Sequence, residues 1–119
     1  MAVEQYRQYI QQLLTEKVQR AASNSTECEF EKQLIFDRVG DRYQLVHVGW
    51  TEREMRNYGC VLHLAIKDGK IWIHQDGTED GIANALVELG VPKQDIVLAF
   101  YPPSMRKYTD FAITDFAIQ

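Results

Sequence analysis

The chain has 119 residues, of which 45% are hydrophobic and 25% charged, a balance that fits one globular domain spanning 1–119 and excludes an intrinsically disordered chain. Its formal net charge of -4 disfavours autonomous grip on DNA, where neutralising phosphates drives affinity, and docking on an anionic membrane. No apolar run approaches the roughly 18 residues of a membrane span.

The first segment carries Val3, Tyr6, Ile10, Leu13, Leu14 and Val18 at steps of three and four. That spacing puts one apolar stripe on a helix, which should stop near Ala22, where Ser23-Asn24-Ser25-Thr26 competes with helical backbone bonds. Alternation then takes over. Cys28, Phe30, Leu34 and Phe36 share one parity, with Lys32 and Ile35 as exceptions to the pattern. Gly40-Asp41 suits a tight turn with Gly at positive φ, and Tyr43 to Trp50 forms the return strand. On it Val46, Val48 and Trp50 face away from Tyr43, Leu45 and His47. Thr51 to Gly59 is polar and reads as an exposed connection.

A third strand runs from Cys60 to Ile66, and Asp68-Gly69 joins it to Ile71–His74 as a two-residue hairpin loop. That loop sets Ile66 opposite Ile71, Ala65 opposite Trp72, Leu64 opposite Ile73 and His63 opposite His74. Leu62, Leu64, Ile66, Ile71 and Ile73 then form a core face, leaving Val61, His63, Ala65, Trp72 and His74 on the other. A second helix follows, with Thr78 as N-cap, Glu79 and Asp80 in its first turn, Ile82, Leu86 and Leu89 as its stripe, and Gly90 and Pro92 as its stop. Ile96 to Phe100 reads as a short buried strand ended by Pro102-Pro103. Ser104 to Lys107 suits one helical turn, and Phe111 to Ile118 a last strand or an extended tail against the sheet. The order gives an α+β fold: a helix, a four-stranded antiparallel sheet from two hairpins, a second helix and short C-terminal β elements.

His63 and His74 could supply two nitrogens to a metal, with His47 a third if strand pairing brought it to the same face. No cysteine or carboxylate is placed to complete such a site, so no metal or cofactor is expected. Asp68 and Asp76 form no dyad or triad with the histidines, and no phosphate loop or nucleophile elbow is present, so no catalytic residue is assigned. Cys28 and Cys60 lack CxxC spacing and read as reduced thiols of a cytoplasmic protein, with a single bridge as the alternative. Trp50 and Trp72 are either packing residues or partner anchors. The run Pro103, Arg106, Lys107 and Tyr108 combines rigid backbone, charge and an aromatic in a contact loop, against the plainer reading of a surface connection. The expected partner surface is His63, Trp72, His74, Pro103, Arg106 and Tyr108.

Three strings carry a family resemblance: Val61-Leu62-His63-Leu64 with Asp68-Gly69-Lys70-Ile71-Trp72-Ile73, Gly77 to Ala83, and Gly90-Val91-Pro92-Lys93 running through Ile96–Phe100 and Pro102-Pro103 to Ala112. Together they resemble XisI, the fdxN element excision controlling factors of cyanobacteria, and the likeness extends over nearly the whole chain. Ala65 and His74 depart from it, standing where the family often has an acidic residue and a glutamine, which implies a changed partner for that face. The resemblance implies a non-enzymatic regulator of excisive recombination during heterocyst development, working with an XisH-like protein and, through it, a site-specific recombinase. It supplies no catalytic residues. The alternatives are a nucleic-acid binder using Arg53, Arg56, Arg106 and Lys107, and a metal-dependent enzyme at His63 and His74. Exposed tryptophans and a long sheet edge also lead to the expectation of a homodimer or mixed complex.

Overall fold

The computed structural model describes residues 2–24 and 30–113. A helix, α1 (Ala2–Asn24), leads into strands β1 (Phe30–Asp37), β2 (Arg42–Trp50), β3 (Arg56–Lys67) and β4 (Lys70–Asp76). Then come a short helix, α2 (Ile82–Glu88), a 3-10 turn at Lys93–Asp95, strand β5 (Ile96–Leu98) and a 3-10 segment at Pro103–Tyr108. The strands lie in chain order; β1 to β4 are antiparallel neighbours, and β5 joins β4 in parallel. The expected four-stranded sheet is present, with Ile96–Leu98 as an added fifth strand.

The apolar stripe of α1 lies on the inner sheet face. Tyr6, Ile10 and Leu14 are buried with Tyr43, Leu45, Leu62, Leu64, Ile66, Ile71 and Ile73, and with Ile82 and Leu86 of α2. The tyrosines at this interface are polar at one end only. The hydroxyl of Tyr6 donates to Asp95, linking α1 to the 3-10 turn before β5. Arg7 clamps Asp41 with two hydrogen bonds, Nε to Oδ1 at 2.6 Å and Nη2 to Oδ2 at 3.0 Å. That bidentate pair holds the Asp41 carboxyl below its ordinary range, while burial beside this carboxylate pushes Tyr43 up to about 12.

Several local expectations need correction. In the β1–β2 turn it is Asp41, not Gly40, that adopts positive φ, at 55°. Aspartate tolerates this region, and the Arg7 clamp holds it there. The β3 strand begins at Arg56, four residues before Cys60, because its ladder with β2 extends to the Trp50–Arg56 pair. Thr78 does not cap α2. Asp76 does so from six residues upstream: its Oδ2 accepts the Ile82 N–H at 2.8 Å, while its Oδ1 accepts the Thr78 N–H and hydroxyl. The helix therefore starts after Glu79 and Asp80 rather than around them. Gly90, at φ 109°, ends it as expected. Residues 111–113 form no strand, although the Ala112 N–H donates to Ile96 O; the rest of the expected final strand, like Cys28, lies outside the described residues.

Two β-bulges shape β3 and β4. Leu45 pairs with Leu62 but Val46 with Cys60, leaving Val61 as an extra residue, whose carbonyl accepts the Gly77 N–H. Leu64 pairs with Ile73 but His63 with Gln75, which makes His74 the extra residue of β4. The predicted opposition of Ile66, Ala65 and Leu64 to Ile71, Trp72 and Ile73 is present, whereas that of His63 to His74 is displaced by one position. Bulges re-aim side chains at the cost of one unpaired residue. His74 lies on the outer face of the sheet beside His63, whereas Val61 packs against the core under α1.

Candidate functional site

Strand parity sorts the outer face into two regions. Toward β4 and β5 the C-terminal segment folds back over it: Trp72, only 2% exposed, forms a second small core with Val97 and Ala112. Arg106 packs over the indole at 5.7 Å and is itself 1% exposed. Its Nε and Nη2 donate to the carbonyls of Tyr101 and Ala99. This corrects the expected partner surface, because neither Trp72 nor Arg106 is available to a partner. A buried indole needs a cover, and residues 96–112, far along the chain, provide it. Arg106 is likewise withdrawn from the basic set of the nucleic-acid reading. Lys107 and Tyr108 remain exposed, with Nζ 5.3 Å from the phenol ring, while Pro103 starts the 3-10 segment and is half-buried.

Between β2, β3 and β4 the face stays open as a groove of about 690 Å³ lined by Arg42, His63, Ala65, Lys67, Trp72 and His74, among others. Despite the bulge, the imidazoles of His63 and His74 meet with centroids 5.0 Å apart. Burial and the charge of Arg42 push His63 below its ordinary value. Burial lowers His74 too, followed by His63, Arg106, Arg42 and Lys67. A cation-rich, half-desolvated wall thus favours the neutral imidazoles. His47 shares the parity of Leu45 and the α1 side, so it does not join them. Among the described residues no three His, Cys, Asp or Glu side chains converge in a geometry that could hold a metal ion.

Along β1, β2 and β3 the outer parity carries Ile35, Val46, Val48, Trp50, Tyr58 and Cys60; Val46 is buried, while Ile35, Trp50 and Tyr58 are exposed. Cys60 is a free thiol whose Sγ donates to Leu62 O, and burial raises its pKa. At the end of the β2–β3 hairpin Trp50 is 57% exposed, Met55 64% and Tyr58 65%. The Arg56 guanidinium lies over both rings, 5.2 Å from Trp50 and 5.8 Å from Tyr58. The sequence left Trp50 open between a packing residue and a partner anchor, and the structure exposes it. Arg56 and Tyr58 were not grouped with it, because the segment reads as a connection; the missed signal is the continuation of outer-face parity across the turn.

Two findings place the chain among known proteins. The model of the family described as XisI protein matches residues 1–113. A crystal structure of a XisI-like protein from Anabaena variabilis ATCC 29413 superposes with a TM-score of 0.82 at 39% identity, covering 96% of this chain and 100% of that one. The fdxN element excision controlling factor XisI from the same organism superposes with a TM-score of 0.80 at 34% identity and the same coverage. No curated protein matches the chain significantly. No helix among the described residues is long and apolar enough to cross a membrane.

Proposed function

Because the chain belongs to the XisI family, we propose that it controls excision of an fdxN-type DNA element as a non-enzymatic, cytoplasmic regulator that acts by binding an XisH-like protein. The observation that carries the docking part is the exposed end of the β2–β3 hairpin formed by Trp50, Arg56 and Tyr58. Trp, Arg and Tyr are the residue types that dominate binding energy at protein interfaces, because each presents a large rigid surface with a polar edge. Here all three are stacked, and strand pairing fixes their spacing. A surface of this kind contributes affinity without making or breaking bonds.

The overall charge of -4 favours the same reading, since control exerted through another protein does not require the chain to hold DNA itself. Regulation then depends on occupancy: the regulator shifts the recombination machinery only as far as it binds one state of its partner better than another. Co-expression with the XisH-like protein and co-purification at micromolar concentration tests the proposal. A stable complex, together with loss of excision when the regulator is omitted, is the expected result. Failure to associate would remove the reading.

A further inference from the structure

The groove on the outer face has a charge that the rest of the molecule lacks. The chain as a whole is acidic, yet Arg42, His63 and His74 converge on one depression, with Lys67 Nζ 5.5 Å from the Trp72 ring at its edge, and among the described residues no carboxylate lines it. Its floor is apolar, formed by Ala65 and Trp72, and the Trp72 indole N–H is already spent on Lys67 O at 3.0 Å. On the far side of Trp72 stands the buried Arg106, whose Nη1 has no hydrogen-bond partner among the described residues. Asp37 sits across the ladder from Arg42; its Oδ1 accepts the Val39 and Gly40 amides of the turn, while its Oδ2 and the Arg42 Nη1 both lie close to Gly40. Asp68 and Lys70 lie in the hairpin tip beyond the groove.

We propose that this groove binds a phosphate-bearing small molecule, with Arg42 meeting the phosphoryl oxygens and the His63–His74 pair forming the wall beside them. The opening of about 690 Å³ falls in the range of small-molecule sites, roughly 300–1,000 Å³. Net negative charge outside the groove disfavours a long polyanion but not a compact dianion that enters the local positive field. The site does not depend on the excision reading. Burial first, and the neighbouring cations after it, hold both imidazoles below their ordinary value; a dianion in the groove offsets the cations, so binding favours uptake of a proton and strengthens as pH falls. The groups that set this response are Arg42 from β2, Lys67 from β3, the two histidines, and Arg106 behind them.

Calorimetry on the full chain, with the histidine Cε1–H resonances followed by NMR, tests the site using sulfate, inorganic phosphate and adenosine monophosphate. Sulfate stays dianionic across the range, so its pH dependence reports the protein alone. Saturable binding should tighten by up to about tenfold per pH unit for each proton taken up, as pH falls toward the lowered range in which the histidines of the unliganded chain titrate. Arg42→Gln and His74→Asn should each weaken it at least about tenfold, while Lys70→Gln, outside the lining, leaves it within about twofold. Arg42 is exposed, so loss of binding with an unchanged melting temperature reports the site and not the fold. Tighter binding of the nucleotide identifies a nucleotide as the ligand, and equal binding identifies the phosphoryl group alone; either upholds the proposal. The proposal is overturned if none of the anions shifts the His63 and His74 resonances at millimolar concentration, if Arg42→Gln binds as the parent does, or if only duplex DNA binds.

Discussion

Replacing Trp72 with alanine separates a packing role from a docking role. The indole is 2% exposed and closes a small core with Val97 and Ala112, its N–H bonded to Lys67 O and its face covered by Arg106. Truncating a buried aromatic costs about 3–5 kcal/mol. Here the loss falls on the upper part of that range, because Arg106 would keep its charge buried while losing its aromatic support. A domain of this length has on the order of 6–18 kcal/mol of total stability, so the variant should lose about a quarter of it or more. Urea unfolding of Trp72→Ala should show a midpoint shift of that size, and Trp72→Phe, which refills most of the space without the N–H, a smaller one. A loss below about 1 kcal/mol would mean that the C-terminal segment does not seal the indole. Trp72 would then return to the partner surface and the account of residues 96–112 as its cover would fail.

Other consequences follow from single contacts. Asp76→Ala removes the acceptor for the Ile82 N–H and for Thr78, and should cost about 1–2 kcal/mol in urea unfolding; a neutral result would contradict its capping role. Gly69→Ala keeps open space around the new Cβ but forces alanine to φ 76°, so a loss of about 1–2 kcal/mol measures backbone strain alone, and none is expected from crowding. Asp41 has a folded-state pKa held low by Arg7, so its contribution is complete above the ordinary carboxylate value of about 4 and disappears as pH falls through the folded-state value. Asp41→Asn should therefore be less stable near neutrality and show a flatter acid limb; an acid limb of unchanged slope would remove Asp41 from the pH response.

Much of the fold was legible because the signals were local. The Asp68-Gly69 turn fixed three correct pairs across β3 and β4, with φ values of 55° and 76° suited to that loop. The stripe Tyr6, Ile10 and Leu14 identified the buried side of α1, and alternation identified Leu62, Leu64, Ile66, Ile71 and Ile73 as core. Where the reading broke down, the cause was distant along the chain. An inserted residue such as Val61 or His74 leaves no trace in composition, since alternation assigns faces but not register. Thr78 has the side chain of an N-cap, yet the geometry of the β4 exit delivers Asp76 first. The cover on Trp72 comes from contacts some 25 to 40 residues downstream, which no short window reveals. The meeting of His63 and His74 could be read from the hairpin, whereas the convergence of Arg42 and Lys67 on them required the β2–β3 register.

The affinity of the chain for the proposed XisH-like partner, measured for the parent and for Trp50→Ala, tests the docking face most directly. Trp50 is more than half exposed, so its loss should leave unfolding within about 1 kcal/mol of the parent. Removing an interface anchor of this type costs at least about 2 kcal/mol of association, or roughly 30-fold in Kd, and the account predicts that result. An unchanged Kd in a folded Trp50→Ala, Tyr58→Ala double variant would contradict it.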